Sequence, residues 1–279
     1  MQSLSATDDY LSLLTSIPNL TSSALLSLFF LTLARLLPIV SLSPFFGSRN
    51  VPGTIRILVS LSLLAIFLPQ NILLAKGELG FTIAWMLGLV KEILIGFILG
   101  FLASVPFYTA QMAGTLVDFQ RGASSLQVSD PTTQSQTGPI GMLCNWILIA
   151  IFYTLGGPFL YLDAIASSYE LFPVDQGFPS ALFQVGLPFW DQIFSLVAMM
   201  LKIATQLGAP ALIGVLLTDL FLGIANRLAP QVQIVFLGMA LKSWVGLALL
   251  TAAWLLMLKV MGVQSIEWIK TLQSFFTAS

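Results

Sequence analysis

Hydrophobic positions in this chain come in long unbroken runs, not in the half-and-half alternation of a soluble protein. Seven runs stand out: Ala24 to Val40, Ile55 to Leu68, Leu79 to Val105, Gly141 to Leu162, Ala181 to Leu207, Ala211 to Ile224 and Ile234 to Met261. A helix needs about 20 apolar residues to cross a bilayer, so most runs suffice and the second is short. Prolines and glycines punctuate them: Pro38 and Pro44 break the first, Pro69 follows the second, and Gly208 and Pro210 stand between the fifth and sixth. Beyond the last run, Ile266, Ile269, Leu272 and Phe276 recur at helical spacing, which predicts a short interfacial helix over 264–276. The pattern predicts an all-α, polytopic integral membrane protein: about seven apolar helical segments in a single membrane domain, residues 1–279.

One stretch interrupts the pattern. Val105 to Pro139 is rich in Gln, Ser, Thr and Gly and carries Asp118, Arg121 and Asp130, yet retains Phe107, Tyr108, Met112, Leu116, Val117 and Phe119. It is too polar to face lipid unaided and too apolar for a free linker. Backbone of this kind in a membrane protein is buried against protein or lines a wet path. Two readings fit: a segment lining or closing a conducting path, or an ordinary hydrophilic loop between spanning helices.

Composition narrows the chemistry. The 279 residues are 57% hydrophobic and 8% charged, against about 25% charged in soluble domains. A net charge of −1 offers no basic face for nucleic acid. With no histidine and one cysteine, histidine-based triads, imidazole metal sites and disulfides fall away, and no cofactor is expected. Cys144, in GMLCNWILIA, reads as a small buried hydrophobe. No secretory signal peptide is expected, because Asp8 and Asp9 come before the first basic residue, Arg35. The positive-inside bias puts the amino end and the acidic link 163–179 outside, and Arg49, Arg56, Arg121, Lys259 and Lys270 inside.

A charge inside a bilayer costs a few kcal/mol or more, so each needs a reason. Arg56 and Lys259 lie near segment ends and can snorkel; Arg35 is ambiguous. Glu92, Lys202, Asp219 and Lys242 are central, which points to pairing or to a water-facing role. In the third run Ala84, Gly88, Glu92, Gly96, Gly100 and Ser104 recur every fourth residue, and in the last run Gly238 and Gly246 flank Lys242 in the same way. Small residues let membrane helices approach closely, so both charges are expected to be buried against another helix. Glu92 and Lys242 are candidate partners for each other, with Asp219 competing for Lys242. Asp118 and Arg121, three apart, can pair on one helical turn.

The order of short motifs resembles one family. Ala229-Pro230-Gln231-Val232-Gln233-Ile234, then Phe236, Gly238 and Leu241-Lys242-Ser243, is similar to the T subunit of the type III secretion export apparatus, the SctT/FliR family that includes the flagellar export protein FliR. Pro44-Phe45-Phe46-Gly47 with Val51-Pro52 and Ile55-Arg56 resembles the family's first link. Lys91-Glu92-Ile93-Leu94-Ile95-Gly96 with Gly100 resembles its charged third segment. Ala113-Gly114, Asp118-Phe119-Gln120-Arg121-Gly122 and Asp130-Pro131 resemble its central polar motif, and Asp219 with Gly223 fits. The resemblance covers nearly the whole chain. Ala240 stands where the family usually has proline in its last motif, which puts the local helix break in doubt. Gly156-Gly157-Pro158 is closer to injectisome members than to flagellar ones.

What the resemblance implies is a core pore subunit of a virulence-type export apparatus in the bacterial inner membrane, at the base of the secretion system. Kinked helical hairpins would join R and S subunits in a helical export-gate assembly, with the U (switch) and V subunits nearby, membrane lipid around it and unfolded secreted proteins passing through. The gate or plug would lie in the segment 106–138, with Gln111, Met112, Gly114, Asp118, Phe119, Gln120, Arg121 and Gly122. Helix packing and subunit contact would fall to Gly88, Glu92, Gly96, Gly100, Asp219, Arg227, Pro230, Gln231, Gly238, Lys242 and Gly246. The chain would not be an enzyme. The residues alone leave two other readings: a small-molecule secondary transporter coupled through Glu92, Asp219 and Lys242, and an intramembrane enzyme, although Asp118, Asp130, Asp191 and Asp219 form no recognisable catalytic motif.

Overall fold

A computed structural model describes residues 22–46, 51–75, 81–122, 138–177, 188–228 and 234–277; among these the side chains of 22, 188–193, 196, 234–237 and 272–277 are left aside. Every regular element among the described residues is a helix: α1 (Ser22–Leu42), a 3-10 turn (Pro44–Phe46), α2 (Gly53–Leu74), α3 (Ile83–Gln120), α4 (Pro139–Thr154), α5 (Gly157–Leu171), α6 (Pro188–Leu228), α7 (Ile234–Ala252) and α8 (Trp254–Thr277).

The helix boundaries correct the sequence reading. Among the described residues four helices are long and apolar enough to cross a membrane, or six spans if the bent pairs α4–α5 (76°) and α7–α8 (60°) each count once; about seven apolar segments were expected. The third apolar run does not stop at the polar stretch: α3 continues through Pro106 to Gln120. The fifth and sixth runs are one helix, α6, with Pro210 inside it. Proline withholds a single N–H and kinks the helix, but apolar surroundings offer the remaining backbone groups no water partner, so the helix continues. The breaks fall elsewhere. One is at Gly156, whose φ of +74 suits glycine. The other is at Ala253, which no glycine or proline marks, and across which Ala253 N–H still donates to Leu249 and Met257 N–H to Ala253. Ala240 sits inside an unbroken α7, as its departure from the family proline suggested. The expected short helix over 264–276 is the end of the longer α8, because the apolar residues before it keep helical bonding.

The chain divides into two compact units: Met1–Leu42, Val51–Gly100 and Ile165–Phe183 in the first; Ser43–Asn50, Phe101–Ala164 and Gln184–Ser279 in the second. Helices α3 and α5 each pass from one unit into the other.

In the first unit the glycine stripe of α3 lies on α1. Going up both helices together, Gly88 faces Leu31, Gly96 faces the backbone of Arg35, and Gly100 faces Pro38, Ile39 and Leu42, so α1 and α3 run parallel. A side chain at Gly96 would collide with the Arg35 carbonyl, so glycine there permits backbone contact. Leu28, Leu31, Leu36, Ile39, Ile95 and Leu99 fill the core, and Asn71 of α2 donates to Thr32 of α1 at 3.0 Å.

In the second unit α6 and α7 form an antiparallel hairpin: Leu222 meets Gly238, Val215 meets Gly246, and Leu249 crowds Gly214. The 3-10 turn puts Phe45 into an aromatic cluster, with ring centroids 5.5 Å from Phe107, 4.9 Å from Phe152 and 5.2 Å from Tyr161. Such ring contacts add to burial. Tyr153 Oη donates to the Phe45 carbonyl at 2.7 Å. The outer faces stay apolar: Ile83, Leu87 and Phe97 on α3, and Leu217, Leu220 and Trp244 on the hairpin, are exposed. Surfaces like these are covered by lipid or by other protein.

Candidate functional site

The polar stretch begins as the last turns of α3. Along them Ala113, Gly114, Val117 and Asp118 are buried, while Met112, Phe119 and Gln120 are exposed. The helix stops at Gly122, whose φ of +83 suits glycine, with the Gly122 N–H on the Phe119 carbonyl at 3.1 Å. The chain re-enters the described residues at Gly138 and Pro139, where α4 starts.

Asp118 joins these two ends. It has no exposed surface. Its Oδ1 accepts from Arg121 Nη2 at 2.6 Å and Nε at 3.0 Å. Its Oδ2 accepts from the backbone N–H of Ile140 at 2.9 Å and of Gly141 at 3.3 Å. A helix start leaves its first N–H groups without partners, and an N-cap side chain usually serves the second and third. Here the N-cap is Gly138, with Pro139 next and no side-chain cap of its own. Asp118 supplies that cap from another helix, and its negative charge suits the positive end of the helix dipole.

The neighbouring glycines make this reach possible. A side chain at Gly138 would occupy the space of the Asp118 carboxylate; one at Gly114 would come within 2.7 Å of the Gly141 Cα, and one at Gly141 within 2.8 Å of the Gln111 carbonyl. Arg121 extends the clamp by donating to Ser243 Oγ of α7 at 3.4 Å. Gly246 faces Val215 and the Arg121 Cβ. The expected Asp118–Arg121 pair is therefore present, and it also holds α4. Asp130 and residues 123–137 lie outside the described residues.

The second group of candidate residues divides between the two units. In the first, Glu92 is fully buried and gripped by Arg35, Nε to Oε2 at 2.5 Å and Nη2 to Oε1 at 3.0 Å. Lys91 Nζ lies 3.0 Å from Glu92 Oε1. The cations also hold the end of α5 and the chain just past it. Arg35 donates to the carbonyls of Ser168 at 2.9 Å and Phe172 at 2.7 Å, Lys91 to those of Pro173 and Gln176, both at 2.7 Å. The Arg35 guanidinium stacks 4.1 Å from the Tyr169 ring centroid. Helix-end carbonyls want donors and positive charge, and two buried cations provide both. The partner of Glu92 is thus Arg35, not Lys242, because the Gly96 contact brings the α1 backbone alongside it.

In the second unit Lys242 pairs across the hairpin with Asp219, the competing partner, and the side chains stay partly exposed, 26% and 39%; Lys242 is half-buried against α6 where burial was expected. Arg227 is exposed in the last turn of α6; Pro230 and Gln231 lie outside the described residues. Lys202 and Lys259 are exposed, and Arg56 donates to the Val51 carbonyl at 3.0 Å. The roles of Arg35, Gly138 and Gly141 were not read from sequence. Arg35 stood out only as an unplaced charge, and its partner is 57 positions away.

Long apolar helices in which the central charges Glu92, Asp219 and Lys242 meet counter-charges define an integral membrane protein. Residues 26–266 match the family described as bacterial export proteins, family 1, and the chain belongs to that family. Yop proteins translocation protein T of Yersinia pestis is 38% identical over 172 residues, 61% of this chain and 63% of that protein, so the chain matches under two thirds of that relative's length. Secretion system apparatus protein SsaT of Salmonella typhimurium is 32% identical over 214 residues, covering 76% of this chain and 79% of the relative. Flagellar biosynthetic protein FliR of Bacillus subtilis is 33% identical over 204 residues, covering 71% and 75%. The family and the apolar helices together make this a bacterial inner-membrane protein.

Proposed function

We propose that the chain is a non-enzymatic pore subunit of a type III protein export apparatus, and that the end of α3 with the segment after it gates the entry channel. The observation that carries the gating reading is the Asp118 clamp: one buried carboxylate ties the last turn before residues 123–137 to the first turn after them. A segment tethered so firmly at its base, with Met112 and Phe119 left exposed beside it, suits a closure that must return to one position. The 38% identity to Yop proteins translocation protein T, against 33% to the flagellar FliR of Bacillus subtilis, favours the injectisome branch over the flagellum.

The partners follow from the same reading: R and S subunits in a helical assembly, the U and V subunits beside it at the base of the secretion system, and unfolded secreted proteins in transit. Both compact units carry exposed apolar helix faces, which supports one membrane domain packed against lipid and homologous helices. Gly88, Gly96 and Gly100 serve packing inside the chain, whereas Arg227, Pro230 and Gln231 are proposed to contact a neighbouring subunit. Solute transport would need Glu92, Asp219 or Lys242 available to a ligand, and each already meets an opposite charge.

The test is copurification followed by conductance. The chain should come out of the membrane with other export subunits, and the reconstituted assembly should hold back small ions. Replacing Met112 and Phe119 together by glycine should make it leak without loss of subunits, because both side chains are exposed in the single chain. A chain that purifies alone and binds a solute would reject the export reading. An intact assembly with unchanged conductance would reject the gating role.

A further inference from the structure

Pro106 lies inside α3, ahead of the segment Gln111–Gly122 on the same helix. It has no N–H to give the carbonyl of Leu102, four residues back, and its ring pushes that carbonyl away from the helix axis. Leu102 and Pro106 are both buried, so the freed carbonyl is shut off from bulk water, and an unmet carbonyl there would be costly. It is met from another helix: Trp268 Nε1 of α8 donates to the Leu102 oxygen at 2.8 Å. The indole is buried and can only donate. The flanking hydroxyls are engaged elsewhere, Ser104 Oγ with the Phe101 carbonyl at 2.6 Å and Thr109 Oγ1 with that of Val105 at 2.9 Å.

We propose that Trp268 is a positioning residue: it supplies the donor that Pro106 withholds, braces α3 where the proline interrupts its hydrogen bonding, and so sets where the gate segment stands. The lever is long. Asp118 lies about 18 Å along the axis from Pro106, so a change of about 10° in the direction of α3 at the proline would carry it about 3 Å. That is enough to pull its carboxylate off the start of α4. The gating half of this inference rests on the function proposed above; the hydrogen-bond half does not.

The experiment is a double-mutant cycle on the full chain, purified with the export subunits that accompany it. Trp268→Phe keeps a ring and removes the donor. Pro106→Ala gives Leu102 a backbone donor from within α3. Trp268→Phe alone should lower the thermal midpoint by about 2–6 °C and raise ion leak severalfold. In the Pro106→Ala background the same change should cost less than half as many degrees. If Trp268→Phe fails to assemble, benzothienylalanine at position 268, which keeps the indole shape and lacks its N–H, replaces it in both backgrounds. Equal midpoint losses in the two backgrounds would overturn the proposal, since the indole would then matter only as bulk. Coupled midpoints with unchanged leak in every variant would support the brace and overturn the gating reading. Leak without coupling would overturn the brace and leave gating standing.

Discussion

Replacing Asp118 by alanine should open the base of the polar segment without unfolding the chain. The carboxylate makes two charge-assisted bonds to Arg121 and accepts two N–H groups at the start of α4. Loss of an N-cap acceptor costs about 0.5–2 kcal/mol, and loss of a negative charge at a helix start about 0.3–2 kcal/mol. Stripping the partner from a buried ion pair can cost about 3–5 kcal/mol, but the Arg121 side chain keeps 14% of its surface exposed and can turn toward water, so its share is smaller. The effects overlap, and a local loss of about 3 kcal/mol follows. That raises the population of the opened base about 100-fold, at about 1.4 kcal/mol per factor of ten. Asp118→Asn keeps one acceptor oxygen and should lose about half as much. Spin labels at Gln120→Cys and Met142→Cys report the base directly, because both positions are exposed and the native Cys144 is buried. Pulsed electron spin resonance should give one narrow distance in the parent, a broader one in Asp118→Asn and the broadest in Asp118→Ala, with ion leak in the same order. A distance distribution in Asp118→Ala as narrow as the parent's would refute the clamp.

Glu92→Gln leaves Arg35 and Lys91 buried without their carboxylate and should cost about 3–5 kcal/mol, read as a loss of assembled complex. Arg35→Lys should be nearly as harmful, since an ammonium cannot hold Glu92 with two nitrogens while serving Ser168 and Phe172; wild-type assembly in either variant would contradict the network. Gly96→Ala drives a methyl into the Arg35 backbone and should lower the thermal midpoint by the equivalent of about 1–3 kcal/mol. Gly223→Ala, with nothing near its Cβ, should be neutral or stabilising by up to about 1 kcal/mol; equal effects would refute the packing argument. Asp219→Lys and Lys242→Asp should each impair assembly, and the double exchange should restore it. Glu92→Lys with Lys242→Glu should not, because those two residues have other partners.

Much of this protein is legible along the chain. Runs of apolar residues force helices, since backbone polar groups in lipid must be satisfied within the segment. The glycine stripe from Gly88 to Gly100 marked a close helix contact, which the structure places on α1. Asp118 and Arg121, being local, were readable as a pair. What the sequence could not convey depends on distance along the chain. Whether Pro106 and Pro210 end a helix or only bend it turns on how the freed carbonyl is satisfied. At Leu102 the answer comes from Trp268, 166 positions away. The partner of Glu92 stayed open for the same reason: charge and flanking glycines say that a counter-charge is needed, but only the packing of α1 on α3 says that it is Arg35. The absence of a side chain at Gly138 conveyed nothing by itself. It acquired meaning once the fold put the Asp118 carboxylate in the space a side chain would fill.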